Sequence, residues 1–150
     1  MVQDQLPALR PAVGSGHGRP VLLATLSVRI EPAAERVAIE SALEANVPLI
    51  VVNLMSPFPC ATTMIRLQED LEAIRRTAAR ASALGVPTEL LMRVPAWRPL
   101  RTLLTLARER DVGLFVLGPD RGHASPGRLR RATRAVRDEL DCLVWDPAWG

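Results

Sequence analysis

Short uninterrupted apolar runs recur along this chain, each separated from the next by a stretch whose apolar residues fall three and four apart. Val21, Leu22, Leu23 and Ala24 form the first run, Leu49, Ile50, Val51 and Val52 the second, and residues 112–117 a later one. Runs this short, without polar alternation, suit strands buried on both faces. Strands of that kind alternating with amphipathic helices fold as a parallel sheet with right-handed crossovers and helices on both faces.

The helical stretches carry their own punctuation. Pro32 suits the first turn of a helix reaching about Ala45, with Ala34, Ala38 and Ala42 inward and Arg36, Glu40 and Glu44 in water. Asn46 and Pro48 stop it. After a loop through Ser56, Pro57, Phe58 and Pro59, Thr62 or Thr63 caps a second helix in which Met64, Leu67, Leu71, Ile74, Ala78 and Ala81 make one stripe. The stripe is too short for a coiled coil and belongs on a sheet. Gly85 ends the helix as a left-handed cap, with Pro87 just beyond.

Leu90, Leu91 and Met92 sit in a third strand. Pro99 opens a third helix with Leu100, Leu103, Leu104 and Ala107 inward and Arg98, Arg101 and Arg108 outward. A fourth begins near Arg128, burying Leu129, Ala132, Val136 and Leu140, and Cys142, Leu143, Val144 and Trp145 form the fifth strand. The expected architecture is a three-layer α/β fold, an open parallel five-stranded sheet with four helices on both faces. Residues 1–19, with prolines and the run Gly14-Ser15-Gly16-His17-Gly18, read as a flexible arm, and residues 20–150 as one domain.

The fourth strand feeds a loop containing Gly118, Gly122 and Gly127 and then a helix N-terminus. Glycines let backbone N–H groups approach a ligand, and the helix end is partially positive, so such a loop suits phosphate. The same glycines would serve a plain turn. Position favours the anion, because open parallel sheets bind ligands at the carboxyl ends of their strands. Charge agrees: Arg121, Arg128, Arg130, Arg131, Arg134 and Arg137 precede the next acid, Asp138. Asp120, after Pro119, reads as a turn former.

Composition excludes several functions. All 19 basic residues are Arg, so a Walker lysine is absent, and the net charge of +3 is only mildly basic. Cys60 and Cys142 belong to no CxxC pattern, and His17 and His123 have no ligand spacing, so no structural metal is expected. Ser27, Ser41, Ser56, Ser82 and Ser125 lack a GxSxG setting, and no catalytic residue is assigned. Arg130, Arg134 and Arg137 line one helix side, yet aromatics are 3% of the chain with no stacking platform nearby, which argues against nucleic acid. No apolar stretch approaches a membrane span and the start lacks a signal-peptide core, so a cytoplasmic, membrane-free protein is expected.

From Pro20 to Trp145 the order and lengths of these segments resemble the universal stress protein domain, a Rossmann-like fold. That family carries Gly, two residues, Gly, nine residues, then Gly followed by Ser or Thr. This chain has Gly118-Pro-Asp-Arg-Gly122, nine residues, then Ala132-Thr133. The first spacing is longer by one, and Ala132 stands where a glycine is expected. The nucleotide-binding branch also ends its first strand in an acidic residue that holds the nucleoside; here Ala24-Thr25-Leu26-Ser27 puts Leu26 there. Loss of such an acceptor costs about 1.5–3 kcal/mol, tenfold or more in affinity.

The resemblance implies a phosphate side at Gly118, Gly122, Ala132 and Thr133 and a nucleoside side at Leu26, with ATP or AMP as the ligand; the loop's own charge and glycines add Arg121 and Gly127 as candidates, and Thr25 and Val52 flank Leu26 at the strand ends. It also implies a homodimer through the last strand, Cys142 to Trp145; Trp145 and Trp149 suit such a contact, since Trp is favoured at interface centres, and would equally serve to cover the monomer's own edge. The reading is a cytoplasmic, dimeric regulatory or interaction module of the stress response, with a degenerate nucleotide site that keeps its glycine loop. Two alternatives stand beside it: a functional ATP or AMP binder, in which backbone groups near Thr25 and Val52 compensate for Leu26, and a small phosphate-ester hydrolase or phosphotransferase using the loop arginines.

Overall fold

The computed structural model describes residues 18–24, 30–55, 61–95, 98–118 and 126–146. Five strands and four helices alternate through them: β1 (Val21–Ala24), α1 (Pro32–Ala45), β2 (Leu49–Met55), α2 (Ala61–Ala83), β3 (Thr88–Pro95), α3 (Pro99–Glu109), β4 (Leu114–Leu117), α4 (Pro126–Glu139) and β5 (Leu143–Trp145). The strands form one parallel sheet in the order β3-β2-β1-β4-β5. The apolar runs reflect this placement. β1 lies between two strands and under helices on both faces, so all four of its residues are buried.

Alternate strand residues feed two cores. Val21, Leu23, Leu49, Val51 and Val116 pack with Ala34, Ala38, Ala42, Ile74 and Ala81 of α1 and α2. Leu22, Ala24, Ile50, Val52, Phe115 and Leu117 pack with Leu103, Leu104 and Ala107 of α3 and Ala132 and Val136 of α4. Each fully buried leucine contributes about 1.5–3 kcal/mol, so these two layers dominate the stability. The α1–α2 contact adds a polar element: the buried Thr77 hydroxyl donates to the Glu35 carboxylate, which also accepts from Arg80 Nη2 at 2.7 Å.

The expected helix stops at Asn46 and Gly85 are present. Asn46 closes α1 in the left-handed region at φ 56°, and Gly85 follows α2 at φ 90°, where a side chain would be strained. Several boundaries differ from the sequence reading. β2 runs on to Met55 and β3 spans eight residues, because their hydrogen-bond ladder continues past the polar Asn53 through a register shift between Val52 and Leu54. Val112 lies outside β4: its N–H turns back to the Ala107 carbonyl at 3.0 Å. Cys142 likewise precedes β5, whose first residue, Leu143, donates to the Gly113 carbonyl. α2 starts at Ala61, ahead of Thr62 and Thr63, and α4 at Pro126, ahead of Arg128.

Arg19 is also placed differently from the expected flexible arm. Its Nη2 donates to the carbonyls of Val112 at 2.9 Å and Asp141 at 2.8 Å, and it pairs with Asp111. It thus ties the entry of β1 to the turns that precede β4 and β5. Gly18 before it is buried, and residues 1–17 of the proposed arm lie outside the described residues.

Candidate functional site at the strand tips

The strand order reverses beside β1: the chain moves outward through β2 and β3, then returns to place β4 on the other side of β1. α1, which follows β1, packs on one face of the sheet and α4, which follows β4, on the other, and at such a reversal open parallel sheets hold ligands in a crevice outside the strand tips. Ala24 and Leu117 are paired in register at its floor, with Val52 beside Ala24 on β2.

Gly118 closes this floor. Its N–H donates to the Ala24 carbonyl and its own carbonyl accepts from Glu31 N–H, both at 2.7 Å, so its polar backbone joins the tips of β1 and β4 to the start of α1. A Cβ on Gly118 would lie 3.3 Å from both Ala34 Cβ and Leu23 Cδ1, and 3.4 Å from the Ala24 oxygen. A side chain here would press on both helix and strand, and glycine lets the two pack closely.

The other expected phosphate-side residues divide. Gly127, in the first turn of α4, has room: a Cβ there meets nothing within 4 Å. Ala132 is buried in the α3–α4 core, which accounts for a methyl where the sequence comparison expected glycine. Thr133 is buried too, and its Oγ1 donates to Asp146 Oδ2 at 2.7 Å. On the nucleoside side, Val52 is buried, with its side chain in the α3–α4 core and its backbone between Ala24 of β1 and Leu91 of β3. Thr25, Leu26, Asp120, Arg121 and Gly122 lie outside the described residues.

Two polar residues at the tips were not singled out from sequence. Asn53 is buried on β2 one position beyond Val52, and Asp146 is buried immediately after β5. By register Asp146 stands beside Leu117, since Val116 pairs with Trp145. A faint signal existed for each: Asn53 interrupts an apolar strand, and Asp146 ends one. With Thr133 and Thr77 they make up the buried polar side chains among the described residues.

The expected dimer edge is a sheet edge. β5 has β4 on one side and no strand on the other among the described residues. Leu143 is 73% exposed, Val144 is buried against the α3–α4 core, and Trp145 packs on the α1–α2 core. Cys142 is half-buried just before the strand; burial pushes its thiol pKa up, opposed by the Arg19 charge and helped by Asp141. Trp149 lies outside the described residues. Among the described residues no group of three or more His, Cys, Asp or Glu could hold a metal, and no helix is long and apolar enough to cross a membrane.

No protein-family model and no curated protein matches the sequence. Solved structures do match. The universal stress protein of Archaeoglobus fulgidus in complex with dAMP is 21% identical, with a TM-score of 0.60 over 85% of this chain and 96% of that one. A universal stress protein in complex with cAMP is 24% identical, with a TM-score of 0.58 over 86% and 95%. The universal stress protein UspA from Lactobacillus plantarum is 16% identical, with a TM-score of 0.62 over 85% and 96%. The parallel order, the helices on both faces and these matches together make this chain an α/β domain with the universal stress protein fold.

Proposed function

We propose that this chain is a cytoplasmic regulatory or interaction module of the universal stress type, dimeric through β5, whose crevice is a degenerate nucleotide site with no turnover of its own. The observation that carries the reading is Gly118 at the reversal of strand order, where a ligand of this fold class is held. Solved proteins of the same fold are in complex with dAMP and cAMP, which supports an adenine nucleotide as the ligand chemistry. Leu26 in place of an acidic residue supports the weakening of the nucleoside side. The exposed Leu143 on an open strand edge supports association of two copies.

Calorimetric titration with ATP and AMP tests the site. Weak or absent heat in the wild type, with a gain of about tenfold or more in Leu26→Asp, is the expected result. The complexes of the similar folds favour a second reading, a functional ATP or AMP binder. Adenine nucleotide released in near-equal molar amount from acid-quenched purified protein would replace the first reading with that one.

A further inference from the structure

We propose that Arg19 is a latch on the amino end of β5: while it is closed the strand stays on the sheet, and when it opens Asp141 to Leu143 peel from β4 with the rest of the domain still folded. Such a device is independent of whether β5 pairs two copies.

β5 has little to hold it. It is three residues long, with β4 as its one strand neighbour among the described residues. Of its side chains Val144 alone is buried, and Leu143 is 73% exposed. The far end has its own fastening, the bond from the Thr133 hydroxyl to Asp146. At the amino end the fastening is Arg19. Its Nη2 donates to the carbonyls of Asp141 at 2.8 Å and Val112 at 2.9 Å, and its Nε to that of Asp111 at 3.3 Å. Hydrogen bonds from a charged donor are stronger than neutral ones, so this clamp carries much of the hold on so short a strand.

The path of the side chain is closely fitted. Gly113 donates to the Pro20 carbonyl and accepts from Leu143, bridging the entries of β1 and β5. A Cβ on Gly113 would stand 2.8 Å from the Arg19 Cβ, so the bare glycine lets Arg19 cross β4 and reach Asp141. Segments with few buried contacts open at a lower free energy than the whole domain. The amino end of β5 is such a segment, and Arg19 sets how often it opens.

Hydrogen exchange of the full chain reads the opening. The Leu143 N–H, bonded to the Gly113 carbonyl, reports on β5, and those of the buried Leu22 and Leu23 in β1 report on global unfolding. In the wild type Leu143 is expected to exchange faster than β1 and to depend little on urea, the mark of an opening that exposes little surface. The Arg19 bonds are absent from the opened and the unfolded forms alike. Arg19→Ala should therefore speed both reporters by about tenfold or more and keep the gap between them. Gly113→Ala, which keeps the charge and displaces the side chain, should act in the same direction. Thr77→Val, whose α1–α2 contact survives the opening, should speed β1 by about fivefold or more and leave Leu143 within about twofold. Arg19→Lys, with a single nitrogen in place of the fork, takes the place of the alanine variant if that one does not fold. Leu143 exchanging at the β1 rate in the wild type, or an Arg19 variant that speeds β1 alone, would overturn the latch.

Discussion

Gly118 lies against Ala34 so closely that a Cβ on the glycine would stand 3.3 Å from that of the alanine, with Leu23 Cδ1 at the same distance. The contact joins the tip of β4 to the buried face of α1 at the point where the sheet reverses. Both neighbours are buried, so neither can swing away. Gly118→Ala is expected to cost about 1–3 kcal/mol in urea unfolding, typical of overpacking. Ala34→Gly should cost about 1 kcal/mol alone from helix propensity. The double variant should recover part of the loss; strictly additive costs would show that the two residues do not oppose each other.

Thr77 and Glu35 join α1 to α2 through a hydroxyl that is buried and a carboxylate that is mostly so. The Arg80 side chain on the same carboxylate is 59% exposed, and exposed ion pairs contribute little. Thr77→Val is expected to lower stability by about 1–2 kcal/mol. Arg80→Ala should cost under about 1 kcal/mol. Chemical denaturation of both variants checks the ranking, and the reverse order would place the weight on the ion pair.

Cys142 has a thiol pKa raised above its ordinary 9.0, mainly by burial. The folded chain therefore holds this proton at pH values where the unfolded chain has released it. The associated stability is fully present below the unfolded value and is lost as pH rises through the higher folded one. In a Cys60→Ser background, Cys142 should react with a disulfide reagent more slowly than free cysteine below pH 9 and accelerate only above it. Cys142→Ala should flatten the alkaline loss of thermal stability. An equally steep loss in that variant would assign it to other groups.

Leu143 is exposed on the open edge of β5, so it can serve a dimer without serving the monomer fold. Leu143→Glu is expected to leave the unfolding free energy of the monomer within about 0.5 kcal/mol. In sedimentation equilibrium the wild type is expected to run as a dimer and the variant as a monomer. A variant that dimerises as the wild type does would move the interface away from this edge.

The helix faces were legible because their code is local. Ala34, Ala38 and Ala42 repeat at a spacing of four and all three are buried, while Arg36, Glu40 and Glu44 between them are exposed. Asn46 and Gly85 were legible as caps because backbone geometry alone demands them. The ends of strands were less so. An apolar run records burial, whereas a strand ends where its ladder ends, so β2 passes through Asn53 and β5 begins after Cys142.

By itself, then, the amino-acid order determined that strands and helices alternate, which helix faces turn inward, and that a glycine loop follows the fourth strand. Such patterns need only residues within about one helical turn or two strand positions of each other. Tertiary structure alone decided that Gly118 is packed against Ala34, that the Thr133 hydroxyl donates a hydrogen bond to Asp146, and that Arg19 clamps carbonyls 93 and 122 residues away. These contacts exist because β4 returns to the side of β1 and brings β5 with it, and no local spacing encodes which strand lies beside which.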